Sequence, residues 1–189
     1  RVTDANGNPK ANATVTFTVA SGGGSVTGGT QTTDANGVAT AGAWTLGATV
    51  GANTLTASTG SVSATFTATG TVGPAAIIAI QSGDAQSATV NTAVAAPVSV
   101  LVTDVNHNPV PGVSVTFAVA SGGGSVTGAN QTTSASGIAT LGGWTLGTGA
   151  GNGNNSVTAT AGSLGTTFTA SGTPAAHEHF LIESAAGGP

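Results

Sequence analysis

Apolar and hydroxyl side chains alternate along this chain in short runs. Val15, Phe17 and Val19 are interleaved with Thr14, Thr16 and Thr18, the period-two pattern of a strand with one face buried and the other in water. The run returns almost unchanged. Val15 to Gly28 reads VTFTVASGGGSVTG, Val115 to Gly128 reads VTFAVASGGGSVTG, and Trp44 is answered by Trp144 at the same spacing of 100. Self-similarity at a fixed period governs how everything else is read.

Residues 1–71 read as an incomplete first repeat. The tail of a strand (Val2, Thr3) runs into the turn residues Asp4 to Pro9, and the Phe17 strand follows. Val26 to Thr33 reads as one short strand and Asp34-Ala35-Asn36-Gly37 as a turn. Next come Val38 through Leu46, Asn53 to Ser58 with Leu55 and Ala57 inward, and Ser63 to Ala68 around Phe66. Residues 72–173 read as a whole repeat. It opens on Ile77 to Ile80 and on Val98 to Val102, with Val98, Val100 and Val102 on one face. The Phe117 strand follows, then strands at Val126, Ile138 to Leu146, Val157 to Thr160, and Thr166 to Ala170. Residues 174–189 begin a further repeat, since Pro174-Ala175-Ala176 matches Pro74-Ala75-Ala76.

About seven short strands per hundred residues, with frequent turn signals, predict an all-β fold of tandem immunoglobulin-like β-sandwich domains. A helical reading fails because β-branched residues dominate and glycine recurs in every candidate window. Phe17, Phe66, Phe117, Phe168 and the alternating valines are expected in the core, and the interleaved threonines in water.

Specific residues narrow the family. Val102-Thr103-Asp104-Val105-Asn106-His107-Asn108-Pro109, continuing to Phe117, resembles the bacterial Ig-like (Big-1) domains of invasin- and intimin-type surface proteins. So does the later succession Thr132-Thr133, Gly137 to Thr140 and Trp144 to Gly147. The first repeat carries the same signature from Val2 to Gly47. The resemblance implies extracellular stalk or adhesin modules strung in tandem, and it transfers no binding residue.

Composition adds exclusions. Two basic residues (Arg1, Lys10) against six acidic ones give a formal net charge of −4, with 4% charged residues. A basic nucleic-acid footprint is absent, and wetting falls to Thr, Ser and Asn. Without cysteine there is no disulfide, thiol nucleophile or thiolate metal site. No apolar run is long enough to span a membrane. The chain begins at Arg1, so it is expected to be a fragment or processed product, with any secretion signal or anchor outside it.

Candidate chemistry is thin. The triple glycines at 22–24 and 122–124 lack the Gly-Lys-Ser/Thr context of a phosphate loop and are expected to form a tight bend or bulge. Asp4-Ala5-Asn6-Gly7-Asn8 and Asp104-Val105-Asn106-His107-Asn108 echo a calcium loop but lack its bidentate acid, and Asx-turns explain the spacing. Asp34 becomes Ser134 while the glycine of that turn stays, the mark of a turn requirement. His177, Glu178, His179 and Glu183 are the one titratable cluster. Two imidazoles on one strand face begin a zinc or nickel site, but no third ligand is evident, and solvent-facing histidines are the favoured reading. Trp44 and Trp144 are favoured as core plugs over sugar-stacking platforms. Asn12-Ala13-Thr14, Asn130-Gln131-Thr132 and Asn154-Asn155-Ser156 are glycosylation sequons of the kind a threonine-rich chain produces by chance.

No catalytic, cofactor-binding or metal site is therefore expected. The leading functional expectation is a non-catalytic extracellular stalk or fibre. Its short linkers (Gly70 to Gly73, and Gly172-Thr173) would restrict bending into a semi-rigid rod. Alternatives are an adhesin module for glycan or host protein, and ancillary domains of a larger secreted enzyme. Expected partners are neighbouring Ig-like repeats or copies of the chain itself, joined head to tail. At an offset of 100, Arg1 aligns with Leu101, so the first repeat lacks counterparts of Ile77 to Ile80 and of most of Val98 to Val102. Those strands are expected from another stretch of polypeptide, either a neighbouring copy by strand addition or an upstream segment. Pro174 to Glu183 can supply the first missing strand but not the second, which favours a continuous array.

Overall fold

The computed structural model describes residues 1–176, and among them strands are joined by turns and irregular loops with no helix. Contacts divide the chain into two compact units, one of Arg1–Pro74 with Val105–Asn108, the other of Ala75–Asp104 with the chain from Pro109 onward.

In the first unit the alternation of valine and threonine makes β1 (Thr14–Ser21), in which Val15 and Phe17 are buried and Thr14, Thr16 and Thr18 exposed. β-Branched side chains suit a pleated, half-buried surface. The other strands are β2 (Gly24–Val26), β3 (Thr30–Thr32), β4 (Trp44–Leu46), β5 (Gly51–Thr59) and β6 (Val62–Gly70). They form one antiparallel sheet in the order β3-β1-β5-β6 and a β2-β4 pair. The core is small: Val15, Phe17 and Leu55, with Val2, Ala39, Ala41 and Trp44 partly buried against it.

The second unit repeats the scheme and adds a cover. Its strands are β7 (Ile77–Ser82), β8 (Gln86–Thr89), β9 (Ser99–Thr103), β10 (Ser114–Ser121), β11 (Ser125–Thr127), β12 (Asn130–Thr132), β13 (Ile138–Thr140), β14 (Gly143–Thr145), β15 (Gly151–Ala161) and β16 (Leu164–Thr173). A sheet ordered β12-β10-β15-β16-β8 faces the sheet β13-β9-β7, and β11 pairs with β14. Between them lie Val100, Val102, Phe117, Trp144, Val157 and Phe168, each at most 1% exposed. The rings of Phe117 and Phe168 stand 6.4 Å apart, within the range of favourable tilted aromatic pairs. Ig-like sandwich is the fold.

Several expected elements differ. Phe66, expected in the core, is 50% exposed, whereas its counterpart Phe168 is 0% exposed. The reason is physical: β16, which carries Phe168, packs against β7, and among its described residues the first unit has no counterpart of β7 and only the end of one of β9, at Val2–Thr3. Val26 to Thr33 is not one strand but two, β2 and β3, broken at Gly28, whose φ is 61°. Val38 to Leu46 is strand only over β4. In the second unit the same stretch forms β13 because β9 is there to pair with it. β8 was not expected. Its Gln-Ser-Ala-Thr lacks alternation, and it pairs parallel with β16 at the edge of the sheet.

Candidate functional site

The turn candidates resolve into local hydrogen bonding. Asp4 Oδ1 accepts from the N–H groups of Asn6 and Asn8, each at 2.9 Å, and Asp4 Oδ2 accepts from Asn8 Nδ2 at 3.1 Å. That side-chain amide, with the backbone N–H groups, holds the Asp4 carboxyl below its ordinary value. Asp34 Oδ1 takes the N–H of Asn36 at 2.8 Å and of Val38 at 2.9 Å. In the second unit Ser134 Oγ accepts the same pair, from Ser136 at 3.2 Å and Ile138 at 3.3 Å. A hydroxyl does the carboxylate's work, so what the position requires is an acceptor for a turn.

The triple glycines form an arch. Gly22, Gly23 and Gly24 all have positive φ, at 82°, 75° and 87°, as do Gly122, Gly123 and Gly124. The ladder shifts register just before each arch, between Val19 and Ser21 and between Val119 and Ser121. A Cβ on Gly22 or Gly122 would run into the side chain of Asn53 or Asn155, so only glycine fits. Those two asparagines are 0% exposed, and sequence reasoning passed over them. Asn53 Oδ1 accepts from Gly47 N at 3.1 Å, and Asn155 Oδ1 from Gly147 N at 3.0 Å. Each fastens the chain that follows the tryptophan strand to the large sheet. The signal that could have found them was an asparagine two residues before the inward Leu55 and Val157, on the same strand face.

Trp144 is 1% exposed, while Trp44 is half-buried. Both indole N–H groups are buried without a hydrogen-bond partner, the condition of a plug rather than of a stacking platform with a polar handle. Of the sequon asparagines, Asn154 is committed: its Nδ2 donates to Gly149 O and its Oδ1 accepts from Gly172 N. Among the described residues no three His, Cys, Asp or Glu side chains gather to hold a metal. His177, Glu178, His179 and Glu183 lie outside the described residues.

Two surfaces remain. One is the outer face of each large sheet, where hydroxyls stand in register. In the first unit Thr30, Thr16, Ser58 and Ser63 make one row across four strands, and Thr18, Thr56 and Thr65 the next. The other is an apolar groove in the first unit, lined by Val15, Phe17, Ala39, Ala57, Val62 and Phe66. Val38, Phe66 and Val62 beside or within it are 41%, 50% and 66% exposed. Exposed apolar side chains of that size are uncommon on a finished soluble surface. Arg1, Thr3, Ser58, Thr59 and Ser63 also line the groove.

No family model matches the sequence, and no curated protein does. Solved structures are similar in fold. InvD of Yersinia pseudotuberculosis is 21% identical, with 97% of this chain and 53% of that one aligned at a TM-score of 0.52. Its congener InvE, described as an adhesin, is 21% identical over 89% of this chain and 51% of that one, with a TM-score of 0.42. The D0–D1 domain of intimin is 20% identical over 89% of this chain and 84% of that one, with a TM-score of 0.37. The chain thus spans about half of the InvD and InvE structures.

Proposed function

We propose that the chain is a length of a non-catalytic bacterial surface protein of the invasin and intimin kind, in which Ig-like modules follow one another as a spacer outside the cell. The observation that carries this reading is the doubling. Two units share one scheme down to the glycine arch and its buried asparagine, and their exposed faces offer hydroxyls without clustered titratable groups among the described residues. A module that repeats its architecture while its surface carries no convergent chemistry suits mechanical work. The Big-1 signature in the sequence and the fold likeness to InvD support the same reading. Polymerisation of copies head to tail, by strand complementation, is its finer form.

An adhesive role is the second reading, and one feature favours it: the groove beside the half-buried Trp44 is apolar and open. A single-molecule pulling experiment on the full chain tests the first reading. Two separate rupture events are expected, with the second unit yielding at the higher force. Smooth extension without events would remove the load-bearing role. Saturable micromolar binding to an array of glycans or extracellular host proteins would move the assignment to an adhesin.

A further inference from the structure

We infer that Asn12 is an acceptor for an N-linked sugar, and that a sugar there shields the adjoining Lys10–Ala11 bond from trypsin-type proteases. The inference goes beyond the spacer reading and stands on other residues. Sequons occur in the sequence at Asn12, Asn130 and Asn154, and the fold treats them differently. A sugar is bulky, and its acceptor belongs on a surface loop. Asn130 and Asn154 sit instead in strands β12 and β15. Asn130 Oδ1 accepts from Thr116 Oγ1 at 3.0 Å, which ties its amide to the next strand. Asn154 Nδ2, the atom a sugar would occupy, already donates to Gly149 O at 2.7 Å. Asn12 lies in the turn ahead of β1, where both it and Thr14 are exposed. Ala13 between them is turned inward, at 9% exposure.

The turn owes its shape to Thr33 and not to the Asn12 side chain. Thr33 is 3% exposed. Its hydroxyl donates to Lys10 O at 2.7 Å and accepts from Ala13 N at 2.8 Å, and its carbonyl accepts from Asn12 N at 3.0 Å. Thr133 makes the same three bonds in the second unit, with Val110 O, Val113 N and Gly112 N. There Gly112 stands for Asn12, with φ of 75° against 59°, and a Cβ on Gly112 would meet nothing within 4 Å. Asparagine tolerates this left-handed backbone. Among the described residues neither the Asn12 amide nor the Thr14 hydroxyl has a hydrogen-bond partner, so the acceptor pair is left over from folding. In the transfer, Asn12 Nδ2 bonds to the anomeric carbon of a sugar activated as its phosphate ester. The carbon–oxygen bond to the phosphate breaks, its electron pair leaves with the phosphate, and one Nδ2 proton passes to a base of the transferase. The neighbouring residues give the sugar a use. Arg1 and Lys10 are the only Arg and Lys in the sequence, so Lys10–Ala11 is a rare trypsin-type bond, and it lies in an exposed turn. Exposed turns of this kind are where proteases cut, and they grip residues on both sides of the bond. Asn12 is the second residue beyond it, within that grip.

The folded chain, incubated with UDP-glucose and a soluble N-glycosyltransferase, is read by intact mass and peptide mapping. Expected is a gain of one hexose, placed on Asn12, with Asn130 and Asn154 bare. Asn12→Gly and Thr14→Ala should lose the gain, and Thr14→Ser should keep it. Asn12→Gly leaves the turn intact, because Gly112 already serves in the same place. Short peptides around Asn130 and Asn154 should accept hexose once freed from the fold. Hexose on Asn130 or Asn154 of the folded chain as readily as on Asn12 overturns the inference, as does a bare Asn12. Peptides that stay bare also overturn it, since the transferase and not the fold would then be selecting. Protein recovered from its own cells should carry sugar at the same residue. A single hexose there identifies a nucleotide-linked donor and a preassembled oligosaccharide a lipid-linked one, while an unmodified Asn12 overturns the assignment. Trypsin should cut the bare chain at Lys10–Ala11 and leave the sugar-bearing chain whole, and equal cutting of the two overturns the shielding. None of these results touches the spacer reading, which the pulling experiment decides separately.

Discussion

The two units share much of their sequence where residues 1–70 align with 101–172, and the difference with the widest effect is whether the core has a second wall. Phe117 and Phe168 are 1% and 0% exposed, Phe17 and Phe66 are 7% and 50% exposed. The difference is smallest in the middle of the sheet and largest at β6, the strand farthest from β3. A sandwich core is a property of two facing sheets, so identical alternation along a strand can end in burial or in exposure. The comparison also separates what is local from what is not. Glycine arches and turn bonds repeat in both units, whereas side-chain burial and the strand state of residues 38–40 do not.

The largest effect that could break this comparison concerns the phenylalanines. Phe168→Ala should destabilise the second unit by about 3–5 kcal/mol, the usual result of truncating a buried aromatic ring. Phe66→Ala should change the first unit by less than about 1 kcal/mol, as at exposed sites. Denaturant titration that resolves the two units reads both values, and equal losses would mean that the first unit has its second wall after all.

The buried asparagine should matter in both units. Asn155→Ala removes the acceptor for Gly147 N from a site with no access to water, at a cost of about 1–3 kcal/mol, and Asn53→Ala should fall in the same range. A loss confined to one of the two would show that the arches are not equivalent.

A smaller contrast is set by Asp84, which only the second unit has. Its Oδ1 accepts from Thr169 N at 2.8 Å and from Thr169 Oγ1 at 3.2 Å. The Thr169 backbone N–H foremost holds this carboxyl below its ordinary value. A depressed carboxyl stabilises the fold fully above its unfolded value and loses that contribution as pH falls through the folded one. Acid titration from pH 5 to pH 2 should therefore lower the midpoint of the second unit, and Asp84→Ala should reduce the drop. The site is exposed, so the effect is expected to be small. An unchanged acid profile in the variant would remove Asp84 from the account.

Smallest of all, Asp34→Ser should shift stability by no more than about 0.5 kcal/mol, because Ser134 already accepts the same two N–H groups. A loss above about 1 kcal/mol would mean that the carboxylate has a second role.

Much of this was legible in the sequence. Val15, Phe17, Val115 and Phe117 announce their burial by alternation, and Asp34 against Ser134 announces a turn. What escaped was set by residues far away in sequence. Phe66 carries the same local pattern as Phe168, and no window of residues around it reveals whether a second sheet lies opposite. β8 escaped because a short parallel edge strand needs neither alternation nor branched side chains, only a neighbour with a free edge. Asn53 and Asn155 escaped because a buried polar residue looks like a surface one until its hydrogen bonds are seen. The groove itself was foreshadowed by the alignment of Arg1 with Leu101, but its lining emerged only from the packing.

The rows of threonine and serine across the large sheets carry a further consequence. Water is held at those faces by neutral dipoles, so the hydration layer includes almost no charge for dissolved ions to screen. At about 0.1 M salt, interactions between exposed charges fade beyond roughly 10 Å, and most surfaces change character between dilute and briny media. A face paved with hydroxyls does not. Such a surface keeps the same hydration in dilute and in concentrated salt.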